Sequence, residues 1–258
     1  MADVSDLTAK EIRNVGDLVE FVSNEYTEHD RVIWFRGQRT AKWDVEASVW
    51  RPLDSSQRRR SPVEERNLTT RFRCRAAIRR TSSPSHDDYA GWLSLMQHYG
   101  LPTRLLDWTR SPLFAAYIAV SPYLEFGIEP QDAKIWMLWP HALNQAEGSE
   151  DLTYPIDADS VRCMLEPAFK DRPENNKILA VMAVENDLRM FVQQGAFTIH
   201  SDREPLNWRG NHREYLLPLV IKAANVREMA HQIRACGIVR GDIFPDLQHL
   251  AEEIKGLP

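Results

Sequence analysis

The stretch from Trp92 to Tyr117 constrains the chain most, because it places a polar loop between two segments with helical signals. Its first half repeats apolar residues at helical spacing and ends at Gly100 and Pro102. Its second half opens with Ser111 and Pro112, which suit an N-cap and the first helical position. We therefore predict a helix, a short loop and a second helix, with a candidate site in the loop.

Length and composition predict a soluble globular chain. Its 258 residues are 43% hydrophobic, which is enough for a substantial core. No apolar run reaches the length of a membrane span, and the N-terminus lacks the basic and apolar regions of a signal peptide. The three cysteines lie too far apart for a disulfide framework or a zinc site, so we predict no metal. We expect a cytoplasmic protein that makes no membrane contact.

Positive charge is concentrated in one segment, from Arg51 to Arg80. The segment holds ten arginines against three acids, whereas the net charge of the whole chain is −5. Arginine suits bidentate contacts with phosphates and carboxylates. Two interpretations remain open: a solvated helix face that pairs with acids elsewhere, or a contact with nucleic acid or another polyanion.

Helical signals lead the first half of the chain, and strand signals dominate the second. Asn14 can cap a first helix, and Ser61 with Glu64 forms a capping box for a later one. Apolar runs predict strands at 32–35, 134–139, 178–184, 196–200 and 215–221. Residues 141–176 lack strong periodicity and predict a surface excursion or a lid. The pattern favours a single α+β domain over residues 1–258, with a central mixed or antiparallel sheet flanked by helices.

Two charged residues outside the loop are candidates for a site. Arg36 follows a predicted strand and precedes Gly37 and Gln38, so it can present a cation at a sheet edge. An ion pair that fixes the strand end explains Arg36 equally well. Glu65 leans toward the buried side of its helix and needs a cationic partner, for which Arg36 and Arg104 are the candidates.

Four blocks of sequence form a distinctive set. They are Trp34-Phe35-Arg36-Gly37-Gln38, the thirteen residues from Gln97 to Thr109, and shorter matches at 194–197 and 243–247. Together they resemble the FRG domain family, which is named for its Phe-Arg-Gly signature. The resemblance covers roughly residues 15–255 and implies a single FRG-type domain.

The resemblance also implies a class of function. FRG proteins occur in bacteria and phages, and some are similar to toxin or phage-defence components. Their pattern loosely resembles the ADP-ribosyltransferase layout, in which an Arg or His ends the first strand, a polar motif follows and a Glu-bearing turn precedes a later strand. Arg36, Thr103 with Arg104 and Asp107, and Gln194 would fill these positions. The late turn carries glutamine where that superfamily usually has a catalytic Glu.

These parallels lead to a hypothesis with assigned roles. The chain would be a nucleotide-binding effector, and its enzymatic form would be an ADP-ribosyltransferase or glycohydrolase that uses NAD. We expect ligand contacts from Arg36, Gln38, Thr103, Arg104 and Gln194. Glu65 or Asp107 would stabilise an oxocarbenium-like centre, and His98 would serve as a base or as a donor to ribose.

Structural roles and other functions remain open beside this hypothesis. Asp107 can pair with Arg104 inside the loop, and His98 can be a packed residue at a helix C-terminus. A non-catalytic sensor of a nucleotide or phosphate ligand would need the arginines without a placed acid. A nucleic-acid-contacting protein would use the segment from Arg51 to Arg80. The sequence leaves open whether the chain is an enzyme and which macromolecule it targets.

Overall fold

A computed structural model describes residues 9–29, 31–76, 83–183 and 195–243. Within these ranges, eight strands form one mixed sheet, and helices flank it. The predicted α+β class with a central sheet is therefore confirmed. The likeness to ADP-ribosyltransferases stays a prediction.

The elements follow one another in a mixed order along the chain. The strands are β1 (Lys10–Glu11), β2 (Trp34–Gln38), β3 (Leu105–Thr109), β4 (Ala133–Leu138), β5 (Tyr154–Pro155), β6 (Ile178–Met182), β7 (Gly195–His200) and β8 (Leu216–Ile221). The α-helices are α1 (Val15–His29), α2 (Pro62–Ala76), α3 (Tyr89–His98), α4 (Pro112–Glu125), α5 (Pro140–Ala146), α6 (Asp159–Leu165), α7 (Ala223–Ala235) and α8 (Arg240–Ile243).

The sheet is weakly joined at its centre. Its order is β1-β8-β4-β2-β3-β7-β6-β5, with parallel pairing at the two ends and antiparallel pairing between them. Strand β2 shares five register pairs with β4, and β3 shares five with β7. Between β2 and β3 there is a single register pair, Phe35 with Thr109. Main-chain register pairing between the two half-sheets is therefore limited to this one pair.

Separate apolar clusters hold the two half-sheets. One cluster packs α1, α4 and α7 against β2, β4 and β8, and another packs α3 and α6 against β3, β6 and β7. A third cluster contains Trp34, Trp108 and Trp136 and receives Leu143 of α5. Helix α4 approaches β2 so closely that a Cβ at position 37 would overlap the carbonyl oxygen of Ala115, so this position requires Gly37. The region between the clusters is where polar side chains can gather.

The predicted helix starts are confirmed in detail. The side chain of Asn14 accepts from the Asp17 N–H at 2.9 Å. Ser61 and Glu64 form a reciprocal capping box, in which Ser61 N–H donates to Glu64 Oε2 at 2.8 Å and Glu64 N–H donates to Ser61 Oγ at 3.2 Å. Ser111 caps α4 through the Phe114 N–H at 3.3 Å. These signals are local, so the sequence alone specifies them.

The prediction of a short loop between two helices is wrong at its centre. Residues Leu105–Thr109 form β3, in which buried neighbours surround the exposed Asp107. These five residues are too few for a strand pattern to be recognised between the helical signals on both sides. Its hydrogen bonds come from β7, which lies about 90 residues later in the chain. Likewise, β2 begins at Trp34 and ends at Gln38, so Arg36 lies inside the strand and not after it.

Residues 141–176, for which the sequence suggested an excursion or a lid, contain most of α5, β5 and α6. Leu143, Val161 and Met164 from this segment are fully buried. Part of the segment is therefore core, although its helices are too short to show periodicity in the sequence. None of the described helices is both long and apolar enough to cross a membrane.

Candidate functional site

Arg36 bridges the weak junction between the two half-sheets. Its Nη1 donates to the main-chain oxygen of Asp107 at 2.6 Å. This side-chain bond links β2 and β3 just beyond the pair of Phe35 with Thr109. The guanidinium thus takes the place of a main-chain bond where the strands separate.

The charge of Arg36 is only partly compensated. Burial lowers its pKa to about 10, the carboxylate of Asp107 opposes this shift, and the cation of Arg51 adds to it. Its Nε is buried and has no hydrogen-bond partner among the described residues. A buried donor without an acceptor is costly, and an anion would relieve that cost.

Arg51 is the second cation at this position, and the sequence did not single it out as a site residue. Its Nε and Nη2 donate to the Glu46 carbonyl at 3.1 and 3.0 Å. Burial of the guanidinium lowers its pKa, and the Asp107 carboxylate partly offsets the shift. Arg51 lies in a bend outside the strands, so no local sequence pattern predicts its approach to Arg36.

Asp107 presents a carboxylate held in a fixed orientation. Gln97 Nε2 donates to Asp107 Oδ2 at 2.5 Å, and Gln97 Oε1 accepts from Thr103 Oγ1 at 2.5 Å. Thr103 Oγ1 in turn accepts from the Leu105 N–H at 3.1 Å. Asp107 is exposed, whereas Thr103 is buried. The relay through Gln97 therefore connects the end of α3 to the loop and orients an accessible acid.

Arg104 is fully buried and binds two carboxylates. It donates to both oxygens of Glu65, at 2.9 and 2.6 Å, and to both oxygens of Glu174, at 3.0 and 3.1 Å. Its remaining donor reaches the Met164 carbonyl at 2.7 Å. Burial opposes the charge, but the two carboxylates outweigh it and raise the pKa of Arg104 above its usual value. All five N–H groups of Arg104 therefore have protein acceptors.

This arrangement separates residues that the sequence had grouped. Glu65 contacts Arg104, whereas Arg36 contacts Asp107. The ligand role of Arg104 and the catalytic role of Glu65 stay predictions, and the occupied donors favour the structural pairing that the sequence left open. Glu174 was not predicted, because no pattern marks the segment that carries it.

Gln38 is buried and uses both ends of its amide. Its Nε2 donates to the Asp44 carbonyl at 3.0 Å, and its Oε1 accepts from Trp136 Nε1 at 2.9 Å. These bonds fix the end of β2 to the loop that follows. The predicted ligand contact of Gln38 has no support in these bonds.

Two predicted residues remain, His98 and Gln194. His98 is partly buried at the end of α3, and its ring contacts that of Tyr99 edge-on at 4.9 Å. Gln194 lies outside the described residues, so its predicted ligand role stays a prediction.

His200 is a buried polar residue that the sequence did not single out. Its Nε2 lies 2.8 Å from Thr198 Oγ1, which accepts from Trp108 Nε1 at 3.0 Å. Burial lowers the pKa of His200 to about 3, and nearby arginines, Arg36 first among them, lower it further. Its Nδ1 has no hydrogen-bond partner in the described part of the chain. His200 is therefore neutral near pH 7.

Several arginines of the basic segment pair with acids. Arg58 contacts Glu64 at 2.8 Å, and Arg59 forms an ion pair with Glu46. Arg66 lies 3.2 Å from Asp171. Arg79 and Arg80 are outside the described residues. These contacts favour the interpretation of a solvated, paired helix face for this part of the segment.

No group of three or more His, Cys, Asp and Glu side chains in the described ranges is arranged to hold a metal ion. A dinucleotide would depend on cationic and stacking side chains instead. Burial lowers the pKa of both Arg36 and Arg51, and the carboxylate of Asp107 opposes this shift in each, so these three charges lie near one another.

Comparison with known families gives a match in the first half of the chain. Residues 31–126 match the family model of the FRG domain. The match covers less than half of the chain, and this region is similar to the FRG domain. It includes β2 and β3 with Arg36, Arg51 and Asp107, so the candidate site lies within the matched region. The wider extent of roughly 15–255 stays a prediction, and neither the curated proteins nor the solved structures contain a match.

Replacing Arg104 with Lys should lower the free energy of unfolding by about 3–5 kcal/mol, because one ammonium cannot serve two buried carboxylates. Urea denaturation of both proteins measures the difference. Arg13→Lys is the control, since this exposed arginine forms a surface ion pair with Asp17 one turn away and should leave stability nearly unchanged. Unchanged stability in the Arg104 variant would contradict the structural role.

The neutral state of His200 should make folding depend on pH. The unfolded chain protonates this histidine near its ordinary pKa, whereas the folded chain does not until about pH 3. The unfolded state therefore gains protons first as pH falls, and stability should drop by about 2 kcal/mol from about pH 7 to about pH 5.

Comparing denaturation at the two pH values for wild type and His200→Gln isolates this contribution. The variant should lose most of the drop, whereas His231→Gln, at an exposed position of α7, should keep it. Equal pH dependence in wild type and His200→Gln would show that His200 is not responsible.

Proposed function

We propose that the region similar to the FRG domain binds a phosphate-bearing ligand, in its most specific form a nucleotide such as NAD, beside Arg36, Arg51 and Asp107. The partly compensated charge of Arg36 carries this proposal. Its Nε lacks an acceptor, and burial depresses its pKa. A phosphate would satisfy the donor and offset the charge.

The charge balance at this position supports an anion over a cation. Two guanidiniums face one carboxylate, because Asp107 influences the pKa of both Arg36 and Arg51. Arg51 also retains its Nη1, since only Nε and Nη2 bind the Glu46 carbonyl. A guanidinium with an available N–H edge suits phosphate oxygens.

The enzymatic form of the proposal assigns the chemistry to Asp107. Of the two predicted carboxylates, Asp107 is exposed and oriented by Gln97, whereas Glu65 is committed to Arg104. In an ADP-ribosyltransferase or glycohydrolase, Asp107 would stabilise the positive charge that develops as nicotinamide leaves. Such an activity would suit a toxin or phage-defence effector with a macromolecular target.

Two alternative functions would use some of the same residues. A non-catalytic sensor would use the same arginines and would need no reaction at Asp107. A nucleic-acid contact through Arg51 to Arg80 has less support, because Arg58, Arg59 and Arg66 already pair with acids.

The binding site is tested by calorimetric titration of the protein with ADP, and with adenosine as the ligand without phosphates. We expect ADP to bind and adenosine to bind far more weakly. Arg51→Gln should weaken ADP binding about tenfold, the value of one charge-assisted contact. Arg71→Gln removes the same charge from an exposed position of α2 and should leave affinity unchanged.

Equal affinity for ADP in wild type and Arg51→Gln would contradict the site. The same preparations incubated with NAD separate the enzyme from the sensor. Nicotinamide release that Asp107→Asn abolishes supports the enzyme, whereas ADP binding without release supports the sensor.

A further inference from the structure

Two tryptophans break the pattern of burial in this chain. Trp43 is 46% exposed and Trp208 is 57% exposed, whereas the other six tryptophans are at most 6% exposed. Leaving an indole in water forfeits much of the free energy that its burial would contribute. No other large hydrophobic side chain is exposed in the described loops 39–50 and 201–214 that carry them. The exposure therefore concerns the two indoles and not a wider apolar patch.

The loops that present these indoles are cross-linked. Asp44 Oδ1 accepts from Trp208 Nε1 and from Asn207 Nδ2, each at 2.9 Å. Asn207 Oδ1 accepts from the Val45 N–H at 2.8 Å, and the Val45 carbonyl accepts from the Leu206 N–H at 2.8 Å. Trp208 is thus held directly against the residue that follows Trp43. The two loops are therefore joined at Asp44 and Val45, next to Trp43 in the sequence.

Two cations lie beside Trp43. The guanidinium of Arg39 lies 5.2 Å from the ring centroid of Trp43, and Lys42 is exposed beside it. Between residues 39 and 43 there is no acid. The carboxylate of Asp44 already accepts from two donors, so its charge is partly satisfied within the surface.

We propose that Trp43 and Trp208 form a stacking platform for single-stranded nucleic acid, with Arg39 and Lys42 contacting its phosphates. Exposed indole faces stack on bases of any sequence, and adjacent cations follow the backbone. A protein interface of ordinary size has an apolar core larger than two indoles, and these loops expose no other large hydrophobic side chain. The platform differs from the anion site at Arg36 in both its residues and its ligand.

Fluorescence anisotropy with a labelled oligothymidine of about twelve nucleotides tests the platform. Trp43→Ala and Trp208→Ala should each weaken binding about tenfold, and both substitutions are at exposed positions. Tyr26→Ala removes an aromatic ring of similar exposure from α1 and should change the affinity less than about twofold. Far-ultraviolet circular dichroism of each variant verifies the fold.

The salt dependence of binding measures the contribution of the two cations. Replacing Arg39 and Lys42 with Gln should reduce the dependence of binding on salt concentration, because fewer counterions are released. A blunt duplex of the same length should bind more weakly than the single strand, since its bases are already stacked. Binding of the duplex at equal affinity, absence of oligothymidine binding, or equal affinity of the tryptophan variants and wild type would overturn the proposal.

Discussion

The buried contact of Arg104 with Glu65 and Glu174 is the interaction on which the arrangement of this structure depends. One guanidinium connects the start of β3 to α2, to the Met164 carbonyl of α6 and to the segment that carries Glu174. Removing either side would leave a buried charge without a partner, which is among the most costly changes in a protein core. Arg104, within the block from Gln97 to Thr109, therefore holds helices onto the second half-sheet.

This commitment of Arg104 explains why a candidate site lies elsewhere. With the donors of Arg104 occupied, the candidate site lies at the junction of β2 and β3, where the Asp107 carboxylate is exposed. There a single register pair joins the half-sheets, and Arg36 completes the link through the Asp107 carbonyl. Arg104 thus has a structural role, whereas ligand recognition by Arg36 is the role proposed for the other arginine. The same separation applies to the acids, since Glu65 is enclosed and Asp107 is exposed.

The sequence predicted what local rules determine. The caps at Asn14 and Ser61 and the mixed α+β class follow from short-range patterns. It also indicated that Glu65 needs a cation, but it offered both Arg36 and Arg104, because helical spacing does not define the partner across the fold. Strand β3 and the approach of Arg51 to Arg36 depend on contacts between distant segments, which no local pattern encodes. The sequence therefore predicted the residue types of the candidate site, but only some of the contacts between them.

Nitrogen-edited NMR of the arginine Nε–H groups, recorded before and after addition of ADP, tests the division between the two arginines most directly. The wild-type signals of Arg36 and Arg51 are assigned by their loss in Arg36→Lys and Arg51→Lys. Both signals should shift on addition of ADP, because these side chains would contact phosphate. The Arg104 signal should exchange slowly with solvent and should not move, since its Nε–H is buried on Glu65. A shift of Arg104 with unchanged Arg36 and Arg51 signals would contradict the account.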